Sequence, residues 1–118
     1  MNEGGDMQKT GRTQSMVMSL PDTGACVIVH SGSMRRYIER MMFDLRGRDF
    51  LKRCKVVVVY GHLDLYRLQG LRMPTFIDHA FEYRSDASLY TQVQMRAIVD
   101  RINYVFPHKI DENKSINL

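Results

Sequence analysis

Three short apolar runs, residues 25–29, 56–59 and 73–77, constrain this chain more than any other feature. They carry β-branched side chains and are bounded by glycine, proline or acidic turn residues. Runs of that length and composition form strands buried on both faces, as in a parallel sheet covered by helices. Val56-Val57-Val58-Val59 is too uniformly β-branched for another assignment and is expected to be buried. Between the first two runs, Met34, Tyr37, Ile38, Met41, Met42 and Leu45 recur three and four apart, the stripe of an amphipathic helix. Ser31 or Ser33 is placed to cap that helix and Gly47 to end it. Strand, helix and strand make one parallel crossover unit, right-handed by the chirality rule.

The remaining pattern extends this plan. Residues 63–69 read as a short helix ending at Gly70. Residues 86–106 read as a long helix with Met95, Ile98, Val99, Ile102 and Phe106 on one stripe. Ser85 or Asp86 would cap it, and Pro107 would stop it. A short helix is expected over residues 13–20, with Met16, Val17 and Leu20 on one face. It follows a loosely ordered, glycine-rich segment, residues 1–11, and residues 108–118 form a polar tail. The expected fold is therefore a single α/β domain over residues 1–118. It has three layers: a short, mostly parallel sheet of at least three strands, flanked by helices.

Composition removes several classes. With 44% hydrophobic and 25% charged residues in 118, the chain has enough apolar content for one core and is not a disordered polyanion or polycation. No apolar run approaches a membrane span, and the amino terminus lacks the apolar core of a signal peptide. Cys26 and Cys54 each adjoin or lie within a core strand and read as buried free thiols. Together these features predict a cytoplasmic protein.

In open parallel sheets the ligand sits outside the carboxyl ends of the strands. Here the third run stops on Asp78-His79 and the first on His30, while His62 follows the second. Asp78 has two readings, a cap for the turn that follows or a ligand-site acid. Glu82 lies four residues on and would share a cation with it if a helical turn began at Asp78. The three histidines would meet at one sheet edge, but no Cys-x-x-Cys or His-x-x-x-His spacing supports zinc.

Lys9-Thr10-Gly11-Arg12-Thr13 resembles the end of a phosphate-binding loop, in which Gly-Lys-Thr opens a helix. Followed by a strand ending in His30-Ser31 and an apolar strand ending in Phe76-Ile77-Asp78, it resembles the P-loop NTPase arrangement. More narrowly, the chain is similar to small helicase-like or packaging-like proteins encoded by bacteriophages. The likeness runs from Gly11 to about Glu82. It implies that Gly11, Arg12 and Thr13 hold phosphate, that Asp78 is the magnesium-associated acid, and that Thr13 and Asp78 flank the metal. ATP or ADP with magnesium would be the ligand. The pattern also departs from the family: Arg12 replaces the lysine, five residues rather than four separate Gly5 from Gly11, and no apolar strand precedes the loop. The resemblance therefore implies a degenerate, non-catalytic accessory protein in the host cytoplasm. The alternative is a nucleotide-binding ATPase or helicase-like subunit completed by a partner chain.

Charge gives a further expectation. The net charge is +4, but residues 34–55 alone carry Arg35, Arg36, Arg40, Arg46, Arg48, Lys52, Arg53 and Lys55 against Glu39, Asp44 and Asp49. Arg35/Glu39 and Arg40/Asp44 are spaced to pair along a helix. Arg36, Arg46, Arg48, Lys52 and Arg53 remain in excess of those two pairs, which predicts a basic surface for nucleic acid or an acidic partner protein.

Overall fold

A computed structural model describes residues 3–81 and 87–108, with residues 3–10 described by backbone alone. Helix α1 spans Glu3–Ser19, strand β1 Cys26–Val29, helix α2 Gly32–Arg46 and helix α3 Arg48–Arg53. Strand β2 (Lys55–Val58), a 3₁₀ helix (His62–Leu68), strand β3 (Thr75–Ile77) and helix α4 (Leu89–Val105) follow. The strands form one all-parallel sheet in the order β2-β1-β3, so each apolar run became a strand. Val27 is aligned with Val56 on one side and Phe76 on the other.

Alternation along the strands divides the core in two. Val27 and Val29, with Val56, Val58 and Phe76, pack against Val17 of α1 and Leu20 just past its end, Met34, Ile38 and Met42 of α2, and Phe50 of α3. Cys26 and Ile28, with Val57 and Ile77, pack against Leu65 and Leu68 of the 3₁₀ helix and Met95 and Val99 of α4. Helices therefore cover both faces of the sheet. The central strand β1 is fully buried, but β2 lies at an edge and leaves Val56, Val57 and Val58 half-buried, less than their composition suggested.

Helix α2 forms as its periodicity predicted. The Ser31 side chain accepts the Met34 N–H at 3.2 Å, and Gly47 ends the helix at φ +91°, a conformation that suits glycine. Two boundaries differ from expectation. Helix α1 begins at Glu3 rather than Thr13, so Thr13 is not its cap. Gly4 and Gly5, which suggested a loose segment, fall in its first turn, where hydrogen bonding is incomplete in any helix. Helix α4 begins at Leu89, capped by Ser88 accepting the Thr91 N–H. The Ser85 and Asp86 caps, Glu82 and the 109–118 tail lie outside the described residues.

The outer edge of β3 is closed by one side chain. Asn103 of α4 accepts the Thr75 N–H and donates to the Thr75 carbonyl, both at 2.8 Å, supplying the pair of bonds a fourth strand would give.

Both cysteines are free. Burial raises the Cys26 thiol to about 12; nearby Lys55 offsets this in part and Cys54 adds to it. Burial also raises Cys54, against the lowering effect of a backbone hydrogen bond at Ala25 and of Arg46 and Arg53. A thiol that ionises later in the folded chain stabilises the fold below the unfolded pKa. That contribution drains away as pH rises towards the folded value. Stability is therefore expected to fall between about pH 9 and pH 12. At pH 8, Cys26 should resist iodoacetamide until the chain is unfolded. Rapid labelling of Cys26 in native buffer would contradict its burial.

Candidate functional site

The topology brings the carboxyl ends of β1 and β3 together beside α1, and Asp78 stands at that junction. Its backbone N–H donates to Ile28 O at 3.0 Å, extending the ladder by one residue. The carboxylate is fully buried: Oδ2 accepts the Ala80 N–H at 3.2 Å, and Oδ1 faces the Thr13 hydroxyl at 3.5 Å and His79 Nδ1 at 3.7 Å. The bond to the amide two residues on is the turn cap that an aspartate at a strand exit supplies. Thr13 reaches it because positions 13 and 17 lie on the buried face of α1, with Val17 and the following Leu20 in the core.

This geometry corrects the phosphate-loop assignment. Such a loop presents free backbone amides at a helix start. Gly11, Arg12 and Thr13 instead lie inside α1, where amides bond to the helix's own carbonyls. Thr13 and Asp78, the residues assigned to magnesium, are each 0% exposed and face one another. A hydrated cation between them does not fit. Among the described residues, no group of three histidine, cysteine or acidic side chains is placed to hold a metal, so His30, His62 and His79 do not form a zinc site.

Arg12, next to Thr13 but on the exposed side of α1, has a different setting. It lines a cleft of about 350 Å³ along the outer edge of β3. Phe76, Ile77 and Met16 supply its apolar surface, and Thr75 and Asn103 part of its wall. Arg96 of α4, His79 and His108 also line it, and the His108 ring packs on Phe76 with centroids 4.7 Å apart. No carboxylate is among these residues. Arginines from helices on opposite faces of the sheet thus line one cleft at its edge, over an apolar floor. Planar guanidinium forks match phosphate oxygens, and low-dielectric walls strengthen their field. Arg96 and Asn103 were not legible as site residues, since neither belongs to a motif; their role follows from where α4 docks.

The predicted basic surface divides. Arg46 is a structural residue, with only 11% of its side chain exposed. Its guanidinium donates to Val17 O at 2.9 Å and Leu20 O at 2.6 Å, pairs with Asp22, and lies 3.7 Å from the Phe50 ring centroid. Arg53 donates to Asp22 O at 2.8 Å. Arg36 sits in the first half of α2, about 15 Å along that helix from the end that leads into α3, which carries exposed Arg48 and Lys52. The pairs Arg35–Glu39 and Arg40–Asp44 form as expected, at 3.4 Å and 3.8 Å. Arg46 lacked a partner by local spacing because its partners lie more than twenty residues away in sequence.

No family model, curated protein or solved structure matches this chain. Among the described residues, no helix is long and apolar enough to cross a membrane.

Proposed function

We propose that this chain is a non-catalytic binding protein that receives a phosphate-bearing ligand in the cleft beside β3, with Arg12 and Arg96 as the anion-binding residues. The observation that carries this reading is that these two arginines line one cleft, with no carboxylate among its described lining residues. Gly11 and Thr13 contribute indirectly, by holding Arg12 on the exposed face of α1, and Asp78 anchors that helix through Thr13. The non-catalytic part rests on the same pair: an acid buried against a hydroxyl is poorly placed to hold magnesium or activate water. This fits the likeness to degenerate phage-type accessory proteins, in which the sheet outlasts the NTPase chemistry.

Isothermal calorimetry with ADP, ATP and pyrophosphate tests the proposal. Binding should persist in EDTA, because no metal bridges ligand and protein. Arg96→Glu should weaken it at least tenfold, the loss of about 1.4 kcal/mol or more expected when an attractive charge becomes repulsive. Undetectable binding at millimolar ligand, or binding that requires magnesium, would overturn it.

A second reading is favoured by a separate observation. Arg48 and Lys52 are exposed on α3 and make no ion pair among the described residues. This surface suits an acidic partner protein or a nucleic-acid backbone.

A further inference from the structure

Three tyrosines are exposed on the surface formed after β2 and at the start of α4: Tyr60 at 62%, Tyr66 at 63% and Tyr90 at 62%. They stand near cationic or titratable partners. The His62 ring packs against Tyr90, centroids 5.5 Å apart and tilted by 39°, joining the 3₁₀ helix to α4. The Arg67 guanidinium lies 5.7 Å from the Tyr66 ring centroid. At Gly32 a side-chain β-carbon would lie 3.7 Å from an Arg36 guanidinium nitrogen and 3.8 Å from the Tyr60 hydroxyl, so these two groups converge at the start of α2.

The segment bearing Tyr60 and Tyr66 is held in place. Asp64 accepts the Tyr60 N–H at 2.8 Å and the Gly61 N–H at 3.3 Å, and pairs with Arg67 at 3.5 Å. Its charge is thereby engaged within the segment, while Arg36 adds a cation beside Tyr60. Leu63, 86% exposed, lies three residues before Tyr66, on the same side of a three-residue-per-turn helix.

We propose that this surface is a stacking platform for single-stranded nucleic acid, with bases packing on Tyr60, Tyr66 and Tyr90 and phosphates meeting Arg36 and Arg67. Exposed aromatic faces next to guanidinium groups are the recognition chemistry of unpaired bases on a charged backbone, since every base offers a π-face and every linkage a negative charge. A duplex hides its base faces and would gain only the phosphate contacts. This inference does not depend on the phosphate cleft. The platform follows β2 and the cleft borders β3, at opposite edges of the sheet.

Fluorescence anisotropy of the full chain with a labelled oligothymidylate and a duplex of equal length tests it. The single strand should bind more tightly than the duplex, with affinity falling as salt rises. Tyr60→Ala, Tyr66→Ala and Tyr90→Ala should each weaken single-strand binding by roughly five- to one-hundred-fold, the range seen for lost base stacking. Tyr90→Phe, which keeps the ring, should retain it. Because these rings are exposed, the alanine variants should melt near the parent temperature, so lost binding would not reflect unfolding. Equal affinity for duplex and single strand would overturn the proposal, as would full binding by all three alanine variants. So would equal competition by polyglutamate. Loss of binding in Arg12→Glu and Arg96→Glu, with the tyrosine variants unaffected, would assign the nucleic acid to the cleft and refute the platform.

Discussion

Gly24→Ala is expected to cost about 3 kcal/mol or more, enough to lower Tm by about 10 °C or more in a domain of this size. Gly24 adopts φ +107°, and an added β-carbon would overlap the Arg53 carbonyl oxygen and lie 2.9 Å from the carbonyl carbon. Both are backbone atoms, so no side chain can swing away. The close approach has a structural purpose. Gly24 leads into β1 and Arg53 ends α3, and just beyond them Lys55 N donates to Ala25 O at 3.0 Å, setting the register of β2 on β1. Any shift that relieves the overlap disturbs that first rung. Thermal melting monitored by circular dichroism checks the prediction. A Tm within a few degrees of the parent would mean that the two chain segments do not touch as described.

Arg46→Ala should have a comparable effect, about 3 kcal/mol, although the residue reads in the sequence as one more surface cation. Its guanidinium satisfies the carbonyls of Val17 and Leu20 at the end of α1, pairs with Asp22 and packs over Phe50. Truncation leaves partly buried acceptors without donors and removes the link from α1 to α2 and α3. Urea unfolding should show a lower midpoint with an unchanged slope. An unchanged midpoint would return Arg46 to the solvent-facing charges. Any charge reversal that probes the α3 surface is therefore confined to Arg48 and Lys52, since Arg46 and Arg53 both hold the 20–24 turn region.

The sheet was legible because burial imposes composition. A strand such as Cys26–Val29, covered on both faces, must be apolar at every position, and α2 must repeat its apolar residues with the helical period. Ser31 and Gly47 could be placed because capping is local chemistry, settled within four residues. What escaped depends on distance along the chain. Asn103 closes the edge of β3 from 28 residues away. Thr13 meets Asp78 across 65 residues, and nothing local marks either pairing. The phosphate-loop assignment rested on Gly11-Arg12-Thr13 opening a helix, whereas α1 starts at Glu3. Yet the residues singled out there and at Asp78 did converge, through a buried contact that sets Arg12 on the rim of the cleft.

That cleft is where the functional reading is most exposed to test. Titrating ¹⁵N-labelled protein with pyrophosphate and following amide shifts locates the anion directly. Saturable changes are expected at Arg12, Ile77, His79 and Arg96, which line the cleft. The amides of Arg48 and Lys52 should stay unmoved. Changes concentrated at Arg48 and Lys52, or none at millimolar pyrophosphate, would contradict a phosphate site beside β3.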